Sequence, residues 1–322
     1  MAISAKKFRN DLKKNGVFYT DKALAEEIRA LLPTEVPEVY DPTCGDGALL
    51  SVFPDDTKKY GQDILSEQVE DAEKRIKNFT GVVGDTLLNP AFANKKFQYI
   101  VANPPFSIKW EPEKLKNDPR FSCAPVLPPQ SKADYAFILH ILYYLEDSGM
   151  AAVLNFPGIL YRGQREGKIR EWIVRNNWVE KIIHIPGGHF EDTNIATALV
   201  VFKKLRATTD VEFVDTENNI SRLVPFDEIE KNDFNLSVSA YVQPKMGKED
   251  VEPERMQAEA RKIFIERLKN ELDIDYTVCR LESKDCKKTV FSFVRFLGQI
   301  QEVINHYLER LEALKDGKGD ND

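Results

Sequence analysis

Short runs bounded by turn residues alternate with amphipathic stretches along most of the chain. The runs are PEVYDP (37–42), KKYGQDI (58–64), GVVGD (81–85), FQYIVANPP (97–105), GMAAVLNFP (149–157), VEKIIHIP (179–186) and ATALVVFKK (196–204). Most are apolar, and each has the length of a strand. The intervening stretches carry helical spacing. DKALAEEIRALL (21–32) reads as a short amphipathic helix with Asp21 as its N-cap. Residues 65–79 and 165–177 read as helices. GDGALLSVF (45–53) opens another after a turn. KADYAFILHILYYLED (132–147) is a strong helix with Phe137, Ile138, Ile141 and Leu145 on one face. Strands that alternate with helices and are apolar on both sides predict a mostly parallel, doubly wound α/β sheet.

Two regions break the pattern. Residues 107–131 are proline-rich and aperiodic, as in a long functional loop. Beyond residue 245 the chain becomes charged and helical. Phe293, Leu297, Ile300, Ile304, Tyr307, Leu311 and Leu314 recur at spacings of four and three, a heptad seam suited to a partner helix. Three divisions follow: an N-terminal helical segment (1–36), an α/β core (37–245) and a C-terminal helical, coiled-coil-like appendage for partner binding (246–322). The closing KDGKGDND reads as a disordered tail.

Composition narrows the partners. Net charge is −7, so a protein of this kind that works on DNA would share the phosphate contacts with other chains. Cys44, Cys123, Cys279 and Cys286 are scattered, with no metal-ligand spacing, which predicts free thiols in a reducing cytoplasm and no metal. No apolar run is long enough to span a bilayer, and no secretory signal opens the chain.

The candidate chemistry sits at the ends of the first four strands. DPTCGDG (41–47) joins the first strand to a helix, and Gly45 and Gly47 permit a tight turn with close approach by a ligand. Ligands on such sheets lie beyond the carboxyl ends of the strands. Asp41 and Asp46 there disfavour a phosphate and suit a cationic ligand such as a sulfonium. Asp63 ends the second strand at the position for ribose hydroxyls, and Asp85 ends the third, where it can accept from an adenine amino group. Together they describe a nucleoside site with no need for phosphate binding, which S-adenosylmethionine satisfies. The stretch lacks the GxGxxG of dinucleotide sites.

Asn103, Pro104, Pro105 and Phe106 follow the fourth strand. An exocyclic amine conjugated to a ring is a poor nucleophile. Acceptors aimed at its hydrogens stabilise the positive charge that develops as it attacks. The side-chain oxygen of Asn103 and the main-chain carbonyl of Pro104 can serve. The prolines stiffen the turn, and Phe106 offers a face for stacking. An adenine in duplex DNA reaches such a site only after rotating out of the helix.

NPPF together with DPTCGDG resembles the N6-adenine DNA methyltransferases. The motif order resembles their gamma class, and more specifically the modification subunits of type I restriction–modification systems. GVFYT (16–20), GDTL (84–87), SKADYAFILHIL (131–142), the stretch 158–204 and NDFNLSVSAYV (232–242) carry the likeness further. The resemblance implies a seven-stranded, Rossmann-like methyltransferase sheet. It implies S-adenosylmethionine contacts from Gly16, Phe18, Tyr19, Thr20, Asp41, Cys44, Gly45, Gly47, Asp63 and Asp85, and catalysis by Asn103, Pro104, Pro105 and Phe106. It also implies assembly of two such subunits with one DNA-specificity subunit, and association with a restriction translocase. Asp21 stands where that family commonly has proline, and Gln98 where it commonly has aspartate. A helical domain usually precedes the FYT motif in that family.

Two other readings share these residues: an N-methyltransferase acting on RNA or on a protein amide or amino group, and a non-catalytic DNA-assembly module that retains the pocket. Elsewhere, His140 reads as structural, His184 as a strand residue, and His189 as part of a loop with no assigned role. Trp172 and Trp178 read as packing residues, whereas Trp110, just past NPPF, is placed to stack on a base.

Overall fold

The computed structural model describes residues 20–187 and 196–243. Gly16, Phe18, Tyr19, His189 and the heptad seam lie outside the described residues. Five strands form the first half of the sheet: β1 (Glu38–Asp41), β2 (Lys58–Asp63), β3 (Phe79–Val83), β4 (Phe97–Ala102) and β5 (Leu145–Asn155). They lie in the order β3-β2-β1-β4-β5, and every neighbouring pair is parallel. The chain moves outward from β1 to β3, then returns to place β4 on the other side of β1. That reversal opens a crevice at the carboxyl ends of β1 and β4.

The second half departs from the expected seven-stranded pattern. The sheet has nine strands and is mixed, in the order β3-β2-β1-β4-β5-β7-β6-β8-β9. Strand β7 (Thr197–Lys203) inserts between β5 and β6 (Val179–Ile185), antiparallel to both. Only residues 186–196 join β6 to β7, too few for the crossover that a parallel neighbour requires. Strands β8 (Val211–Asp215) and β9 (Ile220–Val224) form a hairpin on that edge, with β8 parallel to β6.

Helices cover both faces. Helix α1 (Lys22–Ala30) is capped by Asp21, whose Oδ1 accepts from Leu24 N at 2.7 Å, and it buries Leu24, Ala25 and Ile28. Such a cap contributes about 1 kcal/mol. Helix α2 (Ala48–Ser51) and helix α3 (Ser66–Arg75) flank β1 and β2. Gly47 has φ +80°, and a Cβ there would lie 2.1 Å from Ile76 Cδ1. Gly61 in β2 is needed for a different reason: a Cβ would lie 2.8 Å from Cys44 Sγ and closer still to the Phe79 ring. Its absence lets the β1 turn settle onto β2.

After β4 come helix α4 (Pro119–Ser122) and helix α5 (Asp134–Tyr144). The amphipathic face expected for residues 132–147 is instead an almost wholly buried helix, ending at Tyr144, with Leu145 starting β5. Its outer side is covered by the 107–131 segment, which is tied down by Arg120. That side chain is 1% exposed. It donates to Thr86 O (2.9 Å), Leu87 O (2.6 Å) and Asp118 Oδ2 (2.7 Å), and pairs with His140 Nδ1 at 3.0 Å. His140 also meets Tyr40 OH at 3.3 Å and is held below the ordinary histidine range, first by burial and then by Arg120. It is structural, as expected. Helix α6 (Gln164–Arg175) and helix α7 (Phe226–Lys231) complete the fold. Among the described residues no helix is long and apolar enough to cross a membrane.

Arg120→Ala would strand two carbonyls and Asp118 together. It is expected to lower the unfolding free energy by roughly 3–5 kcal/mol, read as a reduced urea midpoint.

Candidate active site

The turn after β1 is shaped by two carboxylates. Asp41 is buried, and its Oδ1 accepts from Thr43 N at 2.9 Å. Asp63, at the end of β2, reaches across. Its Oδ2 accepts from Gly45 N at 2.8 Å and its Oδ1 from Leu65 N at 3.0 Å. Gly45 adopts φ +51°, which presents its amide to Asp63. Burial pushes the Asp41 carboxyl up to about 8 and also raises Asp63. Asp85 follows β3, and its Oδ1 accepts from Leu87 N (2.8 Å) and Leu88 N (3.1 Å). Thr86 Oγ1 donates to Pro42 O at 2.5 Å, fastening the β3 turn to the β1 turn. Asp46 is the exception among these acids, because Arg75 pairs with it at 3.2 Å.

These turns enclose a cavity of about 330 Å3. Asp41, Cys44, Gly45, Asp63 and Asp85 all line it, and so do Thr20, Asn103 and Pro105. Six of the expected cofactor-side residues and two of the four NPPF residues are thus walls of one space, while Pro104 and Phe106 are not among them. Gly47 is not a wall; it serves the turn behind. Ile64 and Leu88, which are 65% and 40% exposed, also face this cavity and offer apolar surface for a ring. Sequence reasoning passed over both, although each directly follows an element already singled out. Cys44 is buried, and burial first, then Asp41 and Asp63, push its thiol up, so it stays protonated.

Asn103 Nδ2 donates to Thr20 Oγ1 at 3.0 Å. The residue implied for the cofactor and the residue implied for catalysis are therefore in direct contact. At the far end of the turn, Ser107 takes φ +54°, a region a serine rarely adopts. Its N–H donates to Asp134 Oδ1 at 3.0 Å. Asp134 Oδ2 receives Arg162 Nη2 at 3.2 Å, and Arg162 Nε meets Glu166 Oε2 at 2.8 Å. Asp134 is 2% exposed, so this chain of contacts is buried behind the turn. Asp134 opens α5 and Arg162 precedes α6; neither was legible as part of the site. Trp110 differs from expectation. Its ring packs on Phe121, it is buried, and Nε1 donates to Pro129 O at 2.9 Å. It is wall, not a free stacking platform. His184 lies in β6, with Nδ1 3.9 Å from Asp215.

The family model described as N-6 DNA Methylase matches residues 4–223. The chain belongs to that family. Within it, this chain is 31% identical over 304 residues to the type I restriction enzyme MpnII methylase subunit of Mycoplasma pneumoniae, covering 76% of this chain and 56% of the relative. It is 30% identical to the MjaIX methylase subunit of Methanocaldococcus jannaschii, covering 60% of this chain and 38% of that one. Its fold superposes on the methyltransferase subunit of a type I restriction-modification system from Streptococcus thermophilus with a TM-score of 0.65 at 29% identity, covering 70% of this chain and 59% of that structure. The chain spans about half the length of the curated relatives it matches.

Two outcomes are expected of this chain from its folded state alone. The folded state holds the Asp41 proton far above the ordinary carboxylate value of 3.8. The native chain therefore binds more protons than the unfolded chain between about pH 4 and about pH 8, and stability falls as pH rises through that window. Asp41→Asn removes that loss and is expected to raise the melting temperature near pH 8 more than near pH 5, measured by calorimetry across the range. Asp134→Ala leaves the Ser107 amide without its acceptor. Amide exchange at Ser107 should then accelerate while Gly45 stays protected, at a cost of about 1–3 kcal/mol in local stability.

Proposed function

We propose that this chain is the methyl-transferring subunit of a type I restriction–modification complex, moving a methyl group from S-adenosylmethionine to N6 of an adenine rotated out of duplex DNA. The observation that carries this reading is the shared cavity. Asn103 and Pro105 line the same space as Asp41, Asp63 and Asp85. A donor held by the acids would thus face an acceptor held by the turn.

The residues present fit the cofactor. The walls carry Asp41, Asp63 and Asp85 with Lys109 as the cation, a balance that favours a positively charged ligand over a phosphate. Asp63 would hold the ribose hydroxyls and Asp85 the adenine amino group. Ile64 and Leu88 would offer apolar surface to the adenine ring. S-adenosylmethionine supplies an electrophilic methyl group on a sulfonium.

Asn103 and the Pro104 carbonyl do the work on the acceptor. Both accept from the hydrogens of the exocyclic amine and favour the positive charge that grows on it. The Thr20 hydroxyl engages the amide nitrogen of Asn103. It fixes which way the amide faces, so the oxygen needs no reordering during the reaction. The turn would hold N6 for attack on the methyl carbon that the cofactor supplies, and the surplus N6 proton would leave to solvent. No strong general base is required. Phe106 stacks on the acceptor base. With a net charge of −7, the chain relies on a specificity subunit for many of the phosphate contacts, in a cytoplasmic assembly with two copies of this chain.

The test is to co-express the chain with its specificity subunit and map modified adenines in the host genome. Methylation confined to N6 of adenines in one sequence context is expected. Label in RNA or protein, with DNA unmodified, would overturn the reading. Asn103→Ala is expected to lower kcat about 100- to 1,000-fold while leaving S-adenosylmethionine affinity essentially unchanged by calorimetry. Thr20→Val should lower kcat less, and Thr20→Ser should recover it.

A further inference from the structure

Two peptide units of the turn after β3 are held at both ends. Asp85 Oδ1 accepts from the N–H groups of Leu87 (2.8 Å) and Leu88 (3.1 Å). The carbonyls of those same two units, Thr86 O and Leu87 O, accept from Arg120 Nη1 (2.9 Å) and Nη2 (2.6 Å). A peptide unit is planar, and its N–H and C=O point in opposite directions. Neither unit can turn without losing its bond to Arg120 and its bond to Asp85 together. Asp85 is a wall of the cavity and Arg120 lies behind it, so two rigid plates join the carboxylate in front to the guanidinium at the back.

Arg120 has little freedom of its own. It is 1% exposed, and Nε and Nη2 donate to Asp118 Oδ1 (3.0 Å) and Oδ2 (2.7 Å) as a bidentate pair. Nη1 also meets His140 Nδ1 on α5, and His140 reaches Tyr40 in β1. The guanidinium is thus fixed from the 107–131 segment, from α5 and, through His140, from the central strand. Gripping two carbonyls at once suits a planar fork; an ammonium is a point charge and does not reproduce it. Fastening the segment to the body requires only some carbonyl beneath it. Both carbonyls used here belong to the units that hold Asp85.

We propose that Arg120 is a positioning residue for the cofactor's adenine. Acting through the Thr86–Leu87 and Leu87–Leu88 peptide units, it sets the direction of the Asp85 carboxylate, and with it the preference of the site for a 6-amino purine. This rests on the reading of Asp85 as the partner of the adenine amino group. Oδ1 is committed to the turn, which leaves Oδ2 to meet the amine. The 107–131 segment then shapes the site twice. Ile108, Trp110 and Glu111 line the cavity, and Trp110 packs on Phe121, whose ring lies 4.9 Å from Arg120 Cζ.

Titration calorimetry on the full chain compares S-adenosylhomocysteine with S-inosylhomocysteine, in which a 6-oxo group and an N1 proton replace the 6-amino group. The wild-type chain is expected to favour the adenosyl ligand, because a carboxylate repels the oxo group. Arg120→Lys is expected to weaken the adenosyl ligand about tenfold, the contribution of one charge-assisted bond, and to leave the inosyl ligand unchanged. The selectivity ratio then narrows by the same factor. An arginine with a purely structural role would weaken both ligands equally or neither, and either result would overturn the proposal. Arg120 is buried, so a melting curve accompanies the titration. Should the lysine variant be unfolded at the assay temperature, Asp118→Asn decides, at a side chain that is 22% exposed. Asparagine keeps the acceptor for Arg120 N and removes the charge that steadies the guanidinium. A narrowing of about threefold is expected from it, and a wild-type ratio would overturn the proposal. The wild-type titrations separate the two levels of the argument. Binding of neither ligand would remove the cofactor reading, and this proposal with it. Equal binding of both would overturn the roles given to Asp85 and Arg120 while the cofactor reading stood.

Discussion

A single carboxylate holds the far end of the NPPF turn in place. Ser107 adopts a left-handed backbone that nothing in its own side chain favours, and the Asp134 bond to its N–H makes that conformation tenable. Asp134 can do this because it opens a helix buried on almost every side, where its other oxygen is met by Arg162. The NPPF turn is therefore anchored on the protein core. Loops that carry chemistry are ordinarily the mobile parts of a fold. Here the loop is fastened at Thr20 on one side and at Asp134 on the other, which suits the proposed methyl transfer, a reaction that depends on placement.

The acids opposite follow a different logic. Asp41 and Asp63 are buried at strand ends and answered mainly by backbone N–H groups. Burial resists their charge, so they weaken the fold at neutral pH. A cationic guest would relieve that penalty, so the proposed cofactor suits the cavity by charge. Asp46 lies in the same turn but is neutralised by Arg75, so proximity in sequence to the glycines did not determine its role.

Much of this was legible from the chain. The strands were marked by apolar runs, and the acids were conspicuous because each closes one of those runs. The missing pieces have physical reasons. VEFVD and ISRLV are short, charge-bearing strands at one end of the sheet, and ISRLV is its edge, so the apolar signal is diluted. The antiparallel direction of β7 depends on the length of a connection, not on any residue's preference. Asp134 and Arg162 touch the site from partners 27 and 28 positions apart in sequence. No local pattern reports such contacts. Trp110 was misread because an aromatic near a motif looks the same whether it faces solvent or a neighbouring ring.

The way β1 joins β4 bears on how the chain is made. Tyr40 pairs with Ile100 across a long intervening stretch, whereas the β6–β7 and β8–β9 pairs close over short ones. Local hairpins assemble quickly, and distant parallel partners pay a larger loop-closure entropy. The half of the sheet that bears the cavity is thus the slower half to form. A complete chain refolding from the denatured state is therefore expected to close the β6–β7 and β8–β9 pairs before the crevice at β1 and β4.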